Sequence, residues 1–534
     1  MDCQVKSVSL EKTGLFSKLF LDYVNGENSL LNFCHDFPDI SAIHEQAPLY
    51  SIPLNQRKIL KDTIQSQYSG ITISESLSKN LHLLGKDNTF TVCTGHQLCL
   101  FTGPSYFIYK IISCIQLCDE LNKTSHDKIY VPVYWMASED HDIEEINHVH
   151  VFGKKIEWIT NGSGRAGKLL LEELEAAINQ LEDVLGKNKF STDIIQKLKS
   201  FFASSATLAD FTRKIVNEIF GKYGLIILDP DDRKLKELFI PQVETELFGD
   251  RSISLINFTN AELKQKGYHS QVNAREINLF YTGQHFRERI IAENDIFKVN
   301  NTAIQWTKDE LKKVIYSEPE NFSPNVILRP LYQQSILPNV AYVGGPAEIS
   351  YWLQYKRLFL SRQICYPFLI SRRFITILDS KYLELWKSFG FDIQDFFKPQ
   401  DFLIKDYISS LPSDFNLQKQ KKQVEDIFDE IMKSALTFDS GFHTFLNAER
   451  QKAMHSFDAI ENKIYRNNRQ KSEVSINKIK SVRNKTLPNN ILQERYENIF
   501  SFISNYGFEF IDQIFQVTKE KSLTEKNELI FLII

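Results

Sequence analysis

The sequence predicts an α/β protein: a mostly parallel, doubly wound sheet with an appended helical coiled-coil region. Short apolar runs of strand length alternate with helical patterns along most of the chain. One run, IYVPVYWM over Ile129–Met136, is almost continuously apolar, as expected of a strand covered on both faces. Beyond about residue 416 strand patterns vanish and apolar residues recur every 3.5 positions on average.

The elements follow in chain order. TFTVC at 89–93 reads as a strand, closed by Thr94-Gly95, and a loop runs on to Gly103. Pro104 suits the first turn of a helix, and Phe107, Ile111, Ile115 and Cys118 keep helical spacing to about residue 121. LIIL at 225–228 is a short buried strand between helices expected over 208–223 and 231–247. AYV at 341–343 ends in Gly344-Gly345-Pro346, and one helix is expected from there to about residue 360. In the later region Val424, Phe428, Ile431, Ala435, Phe438, Phe442 and Phe445 are spaced 4, 3, 4, 3, 4, 3. A second series, Ala453, Phe457, Ile460 and Ile464, is out of phase with the first, and Gly441 intervenes. Both features weaken a single rigid helix. The polar, basic flanks at 418–422 and 466–485 favour a projecting helical hairpin or coiled coil that joins two copies of the chain into a homodimer, with a long helix packed on its own domain as the alternative. The expected division is a core over 1–413, the helical region over 414–486, and a segment over 487–534 that packs back onto the core.

Composition narrows the function. A chain of 534 residues holds two or three structural units. With 63 Lys+Arg against 67 Asp+Glu the net charge is −4, which argues against a nucleic-acid coat. Hydrophobic residues at 43% and charged residues at 24% exclude bulk disorder. No run approaches the roughly 18–20 apolar residues that span a bilayer, so no membrane partner is expected. The seven cysteines are odd in number and form no C-x-x-C pair. Buried thiols in a reducing, cytoplasmic setting are the simplest reading.

Three constellations carry candidate chemistry. In the first, Gly95, His96, Gln97, Thr102, Gly103 and Ser105 lie after a strand and before a helix, with Tyr109 and Lys110 a turn further on. Ligands bind at the carboxyl ends of strands in open α/β sheets, and helix N-termini attract phosphate or carboxylate. An ordinary strand–helix turn with polar caps explains the same residues. In the second, Glu139, Asp140, His141 and Asp142 follow a buried strand, with Asn147 and His148 close behind. They suit an ammonium group or a transient Mg²⁺ better than a resident transition metal, since the spacing matches no zinc frame; a solvated acidic loop is the alternative. The third is Gly344, Gly345, Glu348 and Tyr351, where glycines allow close approach of a ligand and Glu348 is either a helix-dipole partner or a ligand contact. Gln284, Arg287, Arg289, Arg329, Arg372 and Arg373 add polar and anion-binding capacity.

Together the stretches CTGHQLCLFTGPSYFIYKIIS, VPVYWMASEDHDIEEINHV, ILRPLYQQSILPNVAYVGGPAEISYW and YPFLISRRFITILD resemble the BshC family, the cysteine ligases of bacillithiol biosynthesis. They spread over residues 93–379 in the family's order, and the helical region suits its coiled-coil appendage. His96 departs from the family, where glutamine is expected at this position. The resemblance implies a Rossmann-like core related to nucleotidylyltransferases and class I aminoacyl-tRNA synthetases. It implies a ligase that adds cysteine to glucosaminyl-malate, with ATP and Mg²⁺ activating the cysteine carboxylate. On this reading the 102–104 loop stands where the synthetases' nucleotide-binding loop would be, although neither HIGH nor KMSKS occurs literally. Lys110 would stabilise phosphate charge, His96 or His141 would act as base beside Asp140, and the arginines would hold malate. A non-catalytic nucleotide-binding dimer and a synthetase-like enzyme for another amino acid are the alternatives.

Overall fold

The computed structural model describes residues 3–294, 296–411, 417–525 and 527–534. The boundary expected at 413/414 lies outside them. The chain forms two compact units, one of residues 1–376 with 491–532, the other of 377–490 with 533–534.

The centre of the first unit is a five-stranded parallel sheet: β1 (Thr89–His96), β2 (Ile129–Met136), β3 (Ile226–Leu228), β4 (Asn339–Gly344) and β5 (Phe368–Ser371). Its order is β5-β4-β1-β2-β3. The chain therefore starts in the middle, builds outward through β2 and β3, then returns to the other side of β1. This is the Rossmann order, and the crevice where it reverses lies between β1 and β4. Every residue of β1 and β4 is buried, as both faces require. β1 and β2 are in flush register from Thr89↔Ile129 to His96↔Met136, so the segments that follow them leave the sheet at one edge.

Three helices matter for that edge. Helix α1 (Tyr106–Thr124) follows β1 and is buried along most of its length. Helix α2 (Leu208–Phe220) precedes β3 and opens on a capping box between Thr207 and Asp210. Helix α3 (Pro346–Trp352) follows β4, with Gly345 at its N-cap. Two helices expected as single are each broken. The 231–247 stretch divides into Arg233–Glu237 and Ile240–Phe248, because Pro241 has no N–H to continue the first. The helix after β4 stops at Trp352 and resumes at Lys356–Ser361, leaving the Gln354 side chain to accept the N–H groups of Gln271 and Val272 at 3.0 Å.

Between β3 and β4 the chain inserts a five-stranded antiparallel sheet spanning Leu279–Thr282, Arg287–Glu293, Ile296–Val299, Gln305–Thr307 and Phe322–Pro324. The first unit also takes in the chain's late return, where strand Glu528–Ile533 lies beside the N-terminal strand Gln4–Ser9.

The second unit is helical over its later part. Helix α4 (Gln418–Leu436) and helix α5 (Phe442–Lys471) form an antiparallel hairpin, continued by α6 (Glu473–Thr486). Lys421 bonds Asp458 and Glu461, each at 2.9 Å, and Arg450 bonds Asp429 at 3.0 Å, so the two helices are cross-linked by charge. The reversal falls at 437–441, inside the first apolar series, which keeps its 4, 3 spacing across the turn. Neither α4 nor α5 buries a residue, whereas α6 buries Ile476 and Ile479 against its own unit. No helix among the described residues is long and apolar enough to cross a membrane.

The contrast between exposed and buried apolar groups in this unit is measurable. Ile479→Ala, at a fully buried site, should lower unfolding stability by about 2–4 kcal/mol. Phe438→Ala, at a site 93% exposed, should stay within about 0.5 kcal/mol. Parallel denaturant titrations of the two variants compare them directly.

Candidate functional site at the strand ends

The crevice between β1 and β4 is held by one buried ion pair. Lys110, in the second turn of α1 and 2% exposed, places its Nζ 2.7 Å from Glu348 Oε2 and donates also to the Gly95 carbonyl. Glu348 accepts the Tyr342 hydroxyl at 2.6 Å and the Gly345 N–H at 2.9 Å. Burial opposes its ionisation, but the Lys110 charge and these donors outweigh it and hold the carboxyl below the ordinary range. Burial likewise lowers Lys110, with Glu348 opposing. Lys110 is thus turned inward to the strand end and to Glu348.

Arg329 completes this group. Its guanidinium meets the Tyr351 hydroxyl at 3.1 Å and the Gln333 amide oxygen at 3.4 Å, neither of them an acid. Gly95 keeps room for it: a Cβ there would meet Tyr342 Oη at 3.3 Å and Arg329 at 3.5 Å. Gly95, Lys110, Arg329, Gly344, Gly345, Glu348 and Tyr351 therefore meet at one place. Tyr342, whose hydroxyl anchors Glu348, was not picked out from the sequence; a hydroxyl within an otherwise apolar buried strand was the available signal.

A second group forms where the segments after β1 and β2 emerge. Gln97 donates to Asp140 Oδ2 at 2.8 Å and to Glu145 at 2.9 Å. Arg287, from the inserted sheet, donates to His141 Nδ1 at 3.0 Å, lies 3.9 Å from Asp140 and covers the Phe280 ring. Burial opposes ionisation of Asp140, yet hydrogen bonds from the Gln97 side chain and the His141 backbone N–H, with the Arg287 charge, keep its carboxyl well below the usual range. Arg287 only donates, so His141 Nδ1 accepts and its hydrogen sits on Nε2.

His96 links the two groups and is mostly enclosed. Its Nδ1 lies 2.8 Å from the Gln97 carbonyl, which only accepts, so Nδ1 carries the hydrogen and Nε2 accepts the Tyr106 hydroxyl at 3.0 Å. Burial, with Lys110 nearby, lowers its pKa to about 4. As arranged, neither imidazole offers a free lone pair to a reacting amine.

The remaining candidates disperse. Glu139 turns inward to Lys236, which is 1% exposed, and burial raises its carboxyl against that charge. Asp142 is exposed at the start of Ile143–Ile146. Asn147 pairs with its neighbour His148, on a hairpin where His150 stacks on Tyr496 at 4.1 Å. Gln284 and Arg289 are exposed on the inserted sheet, Arg289 over the Phe280 ring. Tyr109 is fully buried and belongs to the core. Arg372 and Glu494 form a buried ion pair at 2.5 Å. Arg373 runs towards the far end of α1, where it bonds Gln116 at 3.3 Å and the Lys521 carbonyl. There it lines a cavity of about 290 Å³ with Asp119, Lys123 and Lys519, away from the strand ends. Thr102, Gly103 and Ser105 lie in the turn that starts α1, where the Ser105 hydroxyl donates to the Glu497 carbonyl at 2.5 Å.

A Rossmann-ordered sheet with polar groups gathered at its reversal point, joined to a helical hairpin unit, defines a Rossmann-like protein with a coiled-coil domain. The N-terminal Rossmann-like domain of the bacillithiol biosynthesis BshC family matches residues 3–373, and that family's C-terminal coiled-coil domain matches 375–529. The chain belongs to this family. A protein of Cytophaga hutchinsonii is 35% identical over 96% of both chains, and one of Flavobacterium psychrophilum 39% identical over 95% of this chain and 96% of its own. A Bacillus cytotoxicus protein is 26% identical over 96% of this chain and 97% of its own. All three carry the name "Putative cysteine ligase BshC".

His96 gives the site a pH signature. Its pKa is about 4 in the folded chain against 6.5 unperturbed, so the unfolded chain binds more protons between those values. Its contribution is complete above about pH 6.5 and is lost as pH falls towards about 4, at up to about 1.4 kcal/mol per pH unit. His96→Gln should flatten that acid limb, read from denaturant unfolding at a series of pH values. A variant with the parent's slope would refute the burial of a neutral imidazole.

Proposed function

We propose that this chain joins the carboxyl group of cysteine to the amine of glucosaminyl-malate. The observation that carries the reading is that both units match one family, over nearly the whole chain, whose relatives are named as cysteine ligases. A free carboxylate does not acylate an amine near neutral pH, so it must first be activated. ATP with Mg²⁺ would supply that activation as a mixed carboxyl–phosphate anhydride of cysteine. The amine would then attack the acyl carbon, forming the C–N bond as the C–O bond to phosphate breaks, with the phosphate-bearing group and the amine's proton leaving. The start of α1 suits phosphate oxygens: its N-cap Ser105 forms no side-chain cap, and the Thr102 hydroxyl is buried without a partner. Asp140, which remains ionised, suits the ammonium of cysteine or the cation that accompanies phosphate.

For the malate carboxylates, Arg329 is favoured among the five arginines, because its fork meets only neutral groups at the β1–β4 crevice. Arg372 is matched by Glu494, Arg287 faces Asp140, Arg373 runs elsewhere, and Arg289 lies exposed over Phe280. The helical hairpin suits a homodimer contact. Ile427, Ile431, Phe438, Phe442 and Phe445 are 44–93% exposed on it, and packing against a second copy would cover them.

The deciding experiment is reconstitution: purified protein, ATP, Mg²⁺, cysteine and glucosaminyl-malate, with mass spectrometry for the thiol product. A protein that binds nucleotide and yields no product overturns the ligase reading. Arg329→Lys should weaken glucosaminyl-malate binding by about ten- to a hundredfold while leaving ATP binding close to the parent's, as two calorimetric titrations would report. Unchanged glucosaminyl-malate binding would remove Arg329 from the pocket. Deleting 418–471 behind a short linker should give a monomer by light scattering, and a variant that stays dimeric would discard the hairpin contact.

A further inference from the structure

The turn between β1 and α1 holds three successive residues in left-handed backbone: Phe101 at φ 48°, Thr102 at φ 73° and Gly103 at φ 69°. Glycine adopts this region freely, but phenylalanine and a β-branched threonine do not. Gly103 has a further constraint, since a Cβ there would lie 2.7 Å from that of Cys99. Local bonds hold part of the turn: Thr102 N–H donates to the Cys99 carbonyl at 3.1 Å and Gly103 N–H to that of Leu100 at 2.8 Å. The Phe101 and Gly103 carbonyls face the other way, into the protein.

Both are met by one side chain from the far end of the sequence. Asn498, fully buried, donates its amide hydrogens to the Phe101 carbonyl at 2.9 Å and to the Gly103 carbonyl. Its side-chain oxygen accepts the Phe500 N–H at 2.8 Å, so every polar position of the amide is engaged. Its own N–H donates to the His150 carbonyl at 2.8 Å, and the preceding Glu497 carbonyl accepts the Ser105 N–H, also at 2.8 Å. The 497–498 segment thus clamps the turn to the hairpin that carries His148 and His150. Only a primary amide of this length satisfies the arrangement. Aspartate would set a carboxylate against two carbonyl oxygens, and a serine hydroxyl has a single hydrogen to give.

We propose that Asn498 is a positioning residue of the ligase reaction. It holds the Phe101–Gly103 turn in its unfavourable backbone and so fixes the start of α1 at the end of β1. The role rests on reading this turn as the edge that faces the activated carboxylate; Asn498 itself touches no reacting atom. Misplacing such an edge by about an ångström can cost about a hundredfold in turnover.

The test uses full-length Asn498→Ser and Asn498→Asp, so that one variant survives if the other fails to fold. Hydrogen exchange by mass spectrometry should show the 99–106 amides exchanging about tenfold faster or more than in the parent, with 89–95 unchanged. In the reconstituted reaction kcat should fall about thirtyfold or more, while KM for cysteine and glucosaminyl-malate stays within about threefold. Unchanged exchange at 99–106 overturns the clamp. A loosened turn with kcat within threefold of the parent makes Asn498 structural only and overturns its role in the reaction. A parent that makes no product removes the ligase reading, and the reaction role with it, while the exchange result still decides whether Asn498 holds the turn.

Discussion

Everything at the β1–β4 crevice depends on the Lys110–Glu348 pair. Lys110 stands on the helix that follows β1, and Glu348 on the helix that follows β4, so the pair ties together the two halves of the sheet where its order reverses. Taking two charges out of water costs several kcal/mol per ion, and only close pairing with further hydrogen bonds offsets that. Here Glu348 receives Lys110, Tyr342 and the Gly345 N–H, and Lys110 also reaches the Gly95 carbonyl. Each of those partners lies beside a glycine turn or belongs to one. The pair therefore sets how far apart the two glycine turns stand, and with them the width of the crevice over which Arg329 lies.

The arginines show how pairing separates structure from binding. Nothing in the sequence ranked the five, since each offers an anion the same two-pronged fork. In the fold each has a different counterpart. Arg372 is neutralised by Glu494 in a buried pair, and Glu494 also accepts the Ile375 N–H at 2.9 Å, which makes it part of the framework. Arg287 gives its fork to Ser323, the Pro324 carbonyl and His141 and so joins the inserted sheet to the loop after β2. Arg373 bonds the Lys521 carbonyl just beyond the helix Glu509–Thr518. Arg329 stands at the β1–β4 crevice, and its hydrogen-bond partners there are a hydroxyl and an amide, which leaves its fork open to an anion.

Legibility in the sequence followed the range of the interactions. β2 was readable to the residue because its burial on both faces writes an unbroken apolar run; β1 was readable except for its end, where Thr94, Gly95 and His96 look like loop but continue the ladder. The 3.5-residue series revealed helices, but it runs unshifted through the turn at 437–441, which Gly441 alone marked. The inserted antiparallel sheet escaped notice. Its strands run from three to seven residues and hold many polar side chains, so no period-2 signal rises above the surrounding loops. The candidate residues next to glycine turns were visible because turns need particular residues; Glu494 and Asn498 were not, since a buried polar group 122 residues from its partner Arg372, or 397 from Phe101, leaves no local pattern.

That separation also bears on how the site assembles. The bond from Ser105 to Glu497 joins residues 392 apart. Closing a flexible loop of that length would cost about 5 kcal/mol by the logarithmic rule, more than any one of the hydrogen bonds it allows. The cost falls once the intervening chain has folded, because folded segments shorten the effective loop. Closing the contact between the β1–α1 turn and the 497–498 segment is therefore favoured once the chain between them has folded. Without that segment the Phe101 and Gly103 carbonyls lose the amide that meets them, so the outer edge of the turn proposed to face the reacting carboxylate depends on the far end of the chain.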